Sequence, residues 1–327
     1  MTAHPTGATF RLAGEPELHL RLQPARTTRP RGAALYVHGA TFPSALSLYF
    51  RFDGRSWADA LNEAGFDAWG LDFAGYGESQ RDEAVLQPAP DGAPPGRADA
   101  VQPQLARALR AIAQRSAGPL HLIAHSWGSI AALRCAGDPA LRCASLVLFG
   151  PVACREPAAD EAPAGALPPT QLLTAWAQHR RFVTGVPPGE APVLDDAHMD
   201  AWARAYLASD PQAASRMPPA VRVPNGPAAD IAALWSGAPQ YDAARVRVPT
   251  LIVYGEWDSV FDERDAARLA GELCHAPLTI RRLARGTHLM HLESGRHALH
   301  AAVGEFLLAQ PAIDDRAYDP AEVKATP

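Results

Sequence analysis

Short apolar runs recur along this chain, separated by stretches whose apolar positions fall three or four residues apart. The runs are "AALYVHG" (33–39), "FDAWGLDF" (66–73), "LHLIAHS" (120–126), "ASLVLFG" (144–150), "TLIVYGE" (250–256) and "LTIRRL" (278–283). Near-continuous apolar runs of this length mark strands buried on both faces, as in a parallel sheet covered by helices. Between them, "GRSWADALNEAG", "PQLARALRAIAQR", "GSIAALRCAG", "DERDAARLAGEL" and "GRHALHAAVGEFLLAQ" have the apolar spacing and length of helices. "ATFRL" and "ELHLRL" at the front predict an antiparallel hairpin on the sheet edge. The pattern predicts an α/β fold with a mostly parallel central sheet flanked by helices.

Two stretches interrupt the alternation. Residues 80–100, "QRDEAVLQPAPDGAPPGRADA", are rich in Pro, Ala and Gly and predict a surface loop. From 152 to 247 there is no buried-strand pattern, but "TQLLTAWAQHRRFV" and "DDAHMDAWARAYLA" predict amphipathic helices with Trp176, Met199, Trp202 and Tyr206 on their apolar sides. Residues 151–249 also hold 15 of the 31 prolines, so the chain between those helices is expected to be irregular. We read 152–247 as an inserted, mainly helical lid. It divides the core into 1–151 and 248–310 and leaves 311–327 as a tail.

Composition narrows the functional classes. With 327 residues, 47% of them hydrophobic, the chain can bury a large core. A formal charge of −5, from 30 basic and 35 acidic residues, argues against a broad basic face for nucleic acid. No apolar run is long enough to span a bilayer, and the first 20 residues lack the basic start and apolar centre of a secretory leader. A cytoplasmic protein with no membrane partner is expected. Cys135, Cys143, Cys154 and Cys274 show no zinc-type spacing, so they are expected to be reduced, and neither a metal nor a cofactor is implied.

The chemistry is concentrated in "LIAHSWGSIAAL" (122–133), where a serine stands between a buried strand and an alanine-rich helix. A sharp strand-to-helix turn pushes the Ser126 hydroxyl out at the top of the sheet, beside amides that can stabilise negative charge. Ala124 and Gly128 are the small residues such a turn needs. With this elbow, "YVHGATFPS" (36–44) and "LDFAGYGES" (71–79), the chain resembles the α/β-hydrolases over nearly all of 8–310, the lid being the least specific part. It departs from their G-x-S-x-G elbow in carrying Ala124 in place of the first glycine.

The resemblance implies an acid after a late strand and a histidine after the last one. "LIVYGEWDSVF" supplies Asp258 and "RRLARGTHLMHLE" supplies His288. Ser126 would then be the nucleophile, His288 its base, and Asp258 the group that holds the imidazole in its tautomer. Glu256 and Asp262 lie close by but read as a turn residue and a helix N-terminal acid. His125 reads as support beneath the elbow and His291 as packing under the histidine loop. His291, His297 and His300 lack a metal-ligand arrangement. The resemblance also places the oxyanion donors at the backbone N–H groups of Trp127 and Ala40, with Thr41 the weaker candidate for the second.

A serine at the elbow sets the chain apart from epoxide hydrolases and haloalkane dehalogenases, which the resemblance says use a carboxylate there. Trp176, Trp202, Tyr206 and Trp235, with Thr41, are the candidate substrate contacts, and Trp127 is a candidate apolar wall. Together they suggest a small-molecule carboxylic ester of modest size and apolar character. Amidase, aminopeptidase, thioesterase and acyltransferase readings use the same triad. A glycine-rich HGGPG-type loop, expected of a proline-specific aminopeptidase, is replaced here by HGATFPS. A binding protein that keeps the fold without catalysis is the remaining class, and it would not need all three groups.

Overall fold

The computed structural model of the protein describes residues 7–116, 118–156 and 167–311. All but Pro311 of the expected tail, and part of the expected lid, lie outside the described residues. The first half runs β1 (Ala8–Leu12), β2 (Leu18–Gln23), β3 (Gly32–Val37), α1 (Trp57–Glu63), β4 (Phe66–Asp72), α2 (Glu83–Leu86), α3 (Ala98–Ala113), β5 (Leu120–His125), α4 (Gly128–Ala136) and β6 (Ser145–Phe149). The expected surface loop at 80–100 thus carries a short helix and leads into a longer one. Then come β7 (Thr170–Leu173), α5 (Ala175–Phe182), α6 (Asp196–Ala208), β8 (Val221–Pro224) and α7 (Gly226–Trp235). The chain closes with β9 (Thr250–Gly255), α8 (Glu263–Glu272), β10 (Leu278–Leu283) and α9 (Arg296–Leu308).

Eight strands form one sheet in the order β1-β2-β4-β3-β5-β6-β9-β10. β1 pairs antiparallel with β2 and β2 with β4, which puts the expected hairpin on the sheet edge; the other neighbours are parallel. Every residue of β3, β5, β6 and β9 is buried, as their unbroken apolar runs require. Because side chains alternate along a strand, each run feeds two cores. Leu35, Val37, Leu122, Leu148 and Ile252 pack with α3 and α4 on one face. Tyr36, Ile123, Val147, Phe149 and Val253 pack with α1 and α9 on the other. The α4 helix sits so close to β3 that a Cβ on Gly128 would lie 2.4 Å from the His38 carbonyl oxygen, so the position must be glycine.

Where described, the segment from 152 to 247 carries the helices α5, α6 and α7, but β7 and β8 also pair into an antiparallel ribbon that the sequence pattern does not reveal. Each strand has four residues, β7 is only partly buried, and the partner lies far along the chain, so no periodicity develops. The segment is tied to strand-end loops of the core. Trp202 Nε1 donates to Leu46 O at 3.0 Å, Ser294 N to Val193 O at 2.8 Å, and Thr287 Oγ1 to Phe182 O at 3.1 Å. Asp230 on α7, fully buried, accepts from Ala98 N at 2.7 Å, Arg97 Nε at 2.8 Å and Trp127 Nε1 at 3.0 Å. Among the described residues no helix is long and apolar enough to cross a membrane, and the four cysteines are free thiols.

Because Asp230 satisfies three donors, two of them buried, Asp230→Ala should destabilise the protein by about 2–4 kcal/mol. Urea denaturation followed by tryptophan fluorescence would measure this, and an unchanged midpoint would show that the α7 contact contributes nothing to stability.

Candidate active site

β5 ends at His125 and α4 begins at Gly128, so Ser126 and Trp127 alone make the turn between them. Ser126 has φ +55°, a left-handed conformation uncommon for a residue with a side chain. It is held there by Ser126 N donating to Phe149 O at 3.0 Å and by Ser129 N donating to Ser126 O at 2.9 Å. The hydroxyl meets His288, whose loop follows β10: Nε2 and Ser126 Oγ are 2.8 Å apart. On the other side of the ring, His288 Nδ1 lies 3.0 and 3.1 Å from the two carboxylate oxygens of Asp258.

Asp258 Oδ1 also accepts from Val260 N at 2.8 Å and Phe261 N at 3.0 Å, and these donors aim the carboxylate. With Asp258 accepting the Nδ1 proton, the Nε2 lone pair faces the serine hydroxyl. Space for the pair depends on Gly150, at φ +47°: a Cβ there would lie 2.8 Å from Asp258 Oδ2 and 3.0 Å from His288 Nδ1. The rival acids face elsewhere. Glu256 binds Arg282 at 3.2 Å and the Arg285 amide at 3.1 Å, while Asp262 caps α8 through Arg264 N and Asp265 N.

The neighbouring histidines support this arrangement. His125 Nε2 donates to His288 O at 3.0 Å, and its ring stacks on Phe149 at 4.4 Å. His291 is buried 4.7 Å from the His125 ring, and among the described residues neither ring nitrogen has a hydrogen-bond partner. Burial holds the pKa values of both well below the ordinary histidine value, so they add no positive charge beside His288. His300 stacks on Trp57 and His297 is exposed. Among the described residues no group of three or more His, Cys, Asp or Glu could hold a metal ion.

The loop after β3 passes directly against the serine: a Cβ on Gly39 would lie 3.2 Å from Ser126 Cβ. His38 orients this loop, a role that sequence reading saw only as half of a His-Gly pair. Its Nε2 accepts from Phe73 N at 3.1 Å, so the proton sits on Nδ1, which donates to Gly39 O at 2.7 Å. The peptide is trans, so fixing the Gly39 carbonyl turns the Ala40 N–H the opposite way. Tyr76 Oη donates to Ala40 O at 2.6 Å and fixes the next peptide. Neither the Ala40 nor the Trp127 amide donates to an acceptor among the described residues.

The expected substrate contacts separate. Trp202 and Tyr206 are fully buried and stacked on each other at 5.0 Å, with Phe42 and Phe182 against Trp202; they fasten α6 to the core. Trp176 is 68% exposed, under the Arg180 guanidinium. Trp235 lies beneath Arg155, which pairs with Asp265. The Trp127 indole forms no pocket wall: it is buried against Phe73 with its nitrogen on Asp230, and the turn that brings Ser126 to His288 drives it into the core. Thr41 joins a polar cluster that sequence reading missed. Its Oγ1 accepts from Arg181 Nη1 at 2.9 Å, Arg181 Nη1 also donates to Gln178 Oε1 at 2.9 Å, and Gln178 Nε2 donates to Tyr206 Oη at 3.0 Å. Gln178 and Arg181 stand on α5, whose apolar side alone drew attention in the sequence.

Glu293 braces the histidine loop by accepting from Thr287 N at 3.0 Å. Burial raises its pKa from 4.5 to about 7. Thr287 Oγ1 has one hydrogen for two acceptors, Glu293 and Phe182 O, and a protonated Glu293 supplies the second. A folded-state pKa above the unfolded one means that, from about pH 4.5 to 7, the folded chain keeps a proton the unfolded chain has lost. Stability therefore falls as pH rises through that window, by roughly 2–3 kcal/mol at most. Glu293→Gln should remove this component: the stability difference between variant and wild type, from urea melts at pH 4.5 to 7.5, should grow with pH. A difference independent of pH would show that Glu293 does not titrate there.

No curated protein matches the chain. Solved structures do, across almost the whole chain and at low identity. A thioesterase domain from the curacin biosynthetic pathway has a TM-score of 0.59 at 17% identity, covering 93% of this chain and 100% of its own. A monoacylglycerol lipase from Paleococcus ferrophilus has 0.57 at 18%, covering 90% and 99%. A haloalkane dehalogenase loop variant from Bradyrhizobium elkanii has 0.57 at 17%, covering 92% and 96%. Such likeness shows the α/β-hydrolase fold alone. Residues 28–295 match the family model described as "Serine aminopeptidase, S33". That span takes in the elbow, the strand-end acid and the histidine loop, and the chain belongs to this family of α/β-hydrolase-fold serine hydrolases.

Proposed function

We propose that the protein hydrolyses a carboxylic ester of a modest-sized small molecule through an acyl-enzyme on Ser126. The observation that carries this reading is the unbroken chain of contacts from Ser126 Oγ through His288 to Asp258. His288 Nε2 takes the hydroxyl proton as Oγ attacks the ester carbon, and the carbonyl electrons move onto oxygen. The Ala40 and Trp127 amides receive that oxyanion, at the loop turned by His38 and at the first turn of α4. Collapse expels the alkoxide, which takes the proton from His288. Water, deprotonated by the same nitrogen, then attacks the acyl-enzyme and releases the acid and Ser126. Asp258 stays ionised and stabilises the imidazolium formed in each half-reaction.

Residues 152–247 serve in this reading as a lid over the site, closing it through α5, which lies between Thr41 and Thr287. Amides, thioesters and acyl transfer need the same groups, and the family's description names an aminopeptidase. A substrate α-ammonium group would call for carboxylates at the lid-facing loop. There the structure presents a guanidinium, Arg181, which favours the ester reading over the peptide one.

Ser126→Ala should lower kcat/KM on p-nitrophenyl esters by a factor on the order of 10⁴ or more with little change in Tm. Asp258→Asn should lose on the order of 10⁴ while still binding substrate, because the histidine is left in the wrong tautomer. A graded panel of esters, thioesters and anilides, followed by release of the chromophore or thiol, measures both. Near-normal turnover by either variant would remove that residue from the mechanism, and anilides cleaved faster than matched esters would favour the peptidase reading.

A further inference from the structure

Arg181 is the last residue but one of α5 and is exposed. Its Nη1 uses both hydrogens on neutral oxygens, Thr41 Oγ1 and Gln178 Oε1, each at 2.9 Å. Among the described residues no carboxylate lies within ion-pairing distance of the guanidinium, and the three hydrogens on Nε and Nη2 have no acceptor. Three other arginines of the 152–247 segment differ: Arg155 pairs with Asp265, Arg216 with Asp210 and Arg222 with Glu83. The unused edge of the guanidinium is therefore open to an anion that arrives from solvent.

The position of this cation is fixed on two sides. Thr41 is two residues, at most about 7 Å of backbone, from Gly39, which packs against Ser126. On the other side the next residue, Phe182, receives Thr287 Oγ1 immediately before His288. Gln178, fully buried and bonded to Tyr206, holds Nη1 so that the free Nε–Nη2 edge is a preset two-pronged donor. One positive charge among neutral hydroxyl and amide groups matches a monoanion, so a carboxylate fits better than a doubly charged phosphate.

Building on the proposed Ser126 hydrolase, we propose that Arg181 selects its substrate by pairing with a carboxylate, so that the preferred ester carries a free carboxylate a few carbons from the bond cleaved, as in the half-ester of a dicarboxylic acid. The acyl chain then spans from the oxyanion loop to α5, and the apolar character first expected of the substrate belongs to the carbons in between.

Two measurements test this. The first is the ratio of kcat/KM for p-nitrophenyl hydrogen glutarate to that for p-nitrophenyl pentanoate, which cancels any effect common to both esters. Arg181→Gln should lower the ratio by about 30- to 100-fold, the size of a charged hydrogen-bonded pair, and Arg181→Lys should recover part of it. A wild-type preference for the pentanoate, or a ratio unchanged by Arg181→Gln, would overturn the proposal. The second is calorimetric binding of glutarate to Ser126→Ala protein, which should disappear when Arg181→Gln is added. Inorganic phosphate binding as tightly as glutarate, or glutarate binding that survives the second substitution, would also overturn it. If neither ester is hydrolysed, the assignment of Ser126 fails, while glutarate binding still decides the role of Arg181.

Discussion

The left-handed turn at Ser126 is the constraint on which the rest of the site depends. With one residue at φ +55° the chain reverses from strand to helix in two residues, and this single bend does three things at once. It lifts the serine hydroxyl to His288, frees the Trp127 amide at the start of α4, and drives the Trp127 indole inward to Asp230. The backbone around it must come unusually close, which is why Gly128 cannot carry a side chain under the His38 carbonyl. An L-residue is uncommon in this conformation and persists only where the surroundings over-determine it. Here the fully buried β5 and β6, with the hydrogen bond from Ser126 N to Phe149 O between them, provide that determination.

Around the turn, neutrality is distributed with care. His38, His125 and His291 are all buried close to the serine, and burial lowers the pKa of each, so the site's histidines act as hydrogen-bonding or packing groups. His38 sets a peptide, His125 holds the carbonyl of His288, and His291 fills space between Phe42 and Phe149. Asp258 is met by two backbone amides, whereas among the described residues the Arg181 guanidinium meets only the neutral oxygens of Thr41 and Gln178.

Much of this was legible in the sequence, for physical reasons. Strands buried on both faces must be continuously apolar, so β3, β5, β6 and β9 stand out, and Ser126 is conspicuous because it stands between such a run and a helix. Asp258 and His288 were expected from the order and strand-end placement that the resemblance implies, and the structure brings both to Ser126. What stayed hidden depends on contacts between distant residues. The β7–β8 ribbon is too short to show a period. Trp202 and Tyr206 sit on an apolar helix face, and sequence alone does not distinguish a face that meets substrate from one that meets Phe42 and Phe182. The bond from Arg181 to Thr41 links residues 140 apart in a stretch with no motif. The Trp127 indole was misplaced because the direction of a side chain at a turn follows from its dihedral angles, which composition does not reveal.

The central claim is that the fold activates Ser126 through His288, and covalent trapping tests it most directly. Folded protein treated with an alkyl fluorophosphonate, digested and mapped by mass spectrometry, should carry one adduct on Ser126, and His288→Ala or prior unfolding in urea should abolish it. Absence of the adduct in the folded wild type, or labelling of Ser126 to the same extent in urea or without the histidine, would contradict the claim.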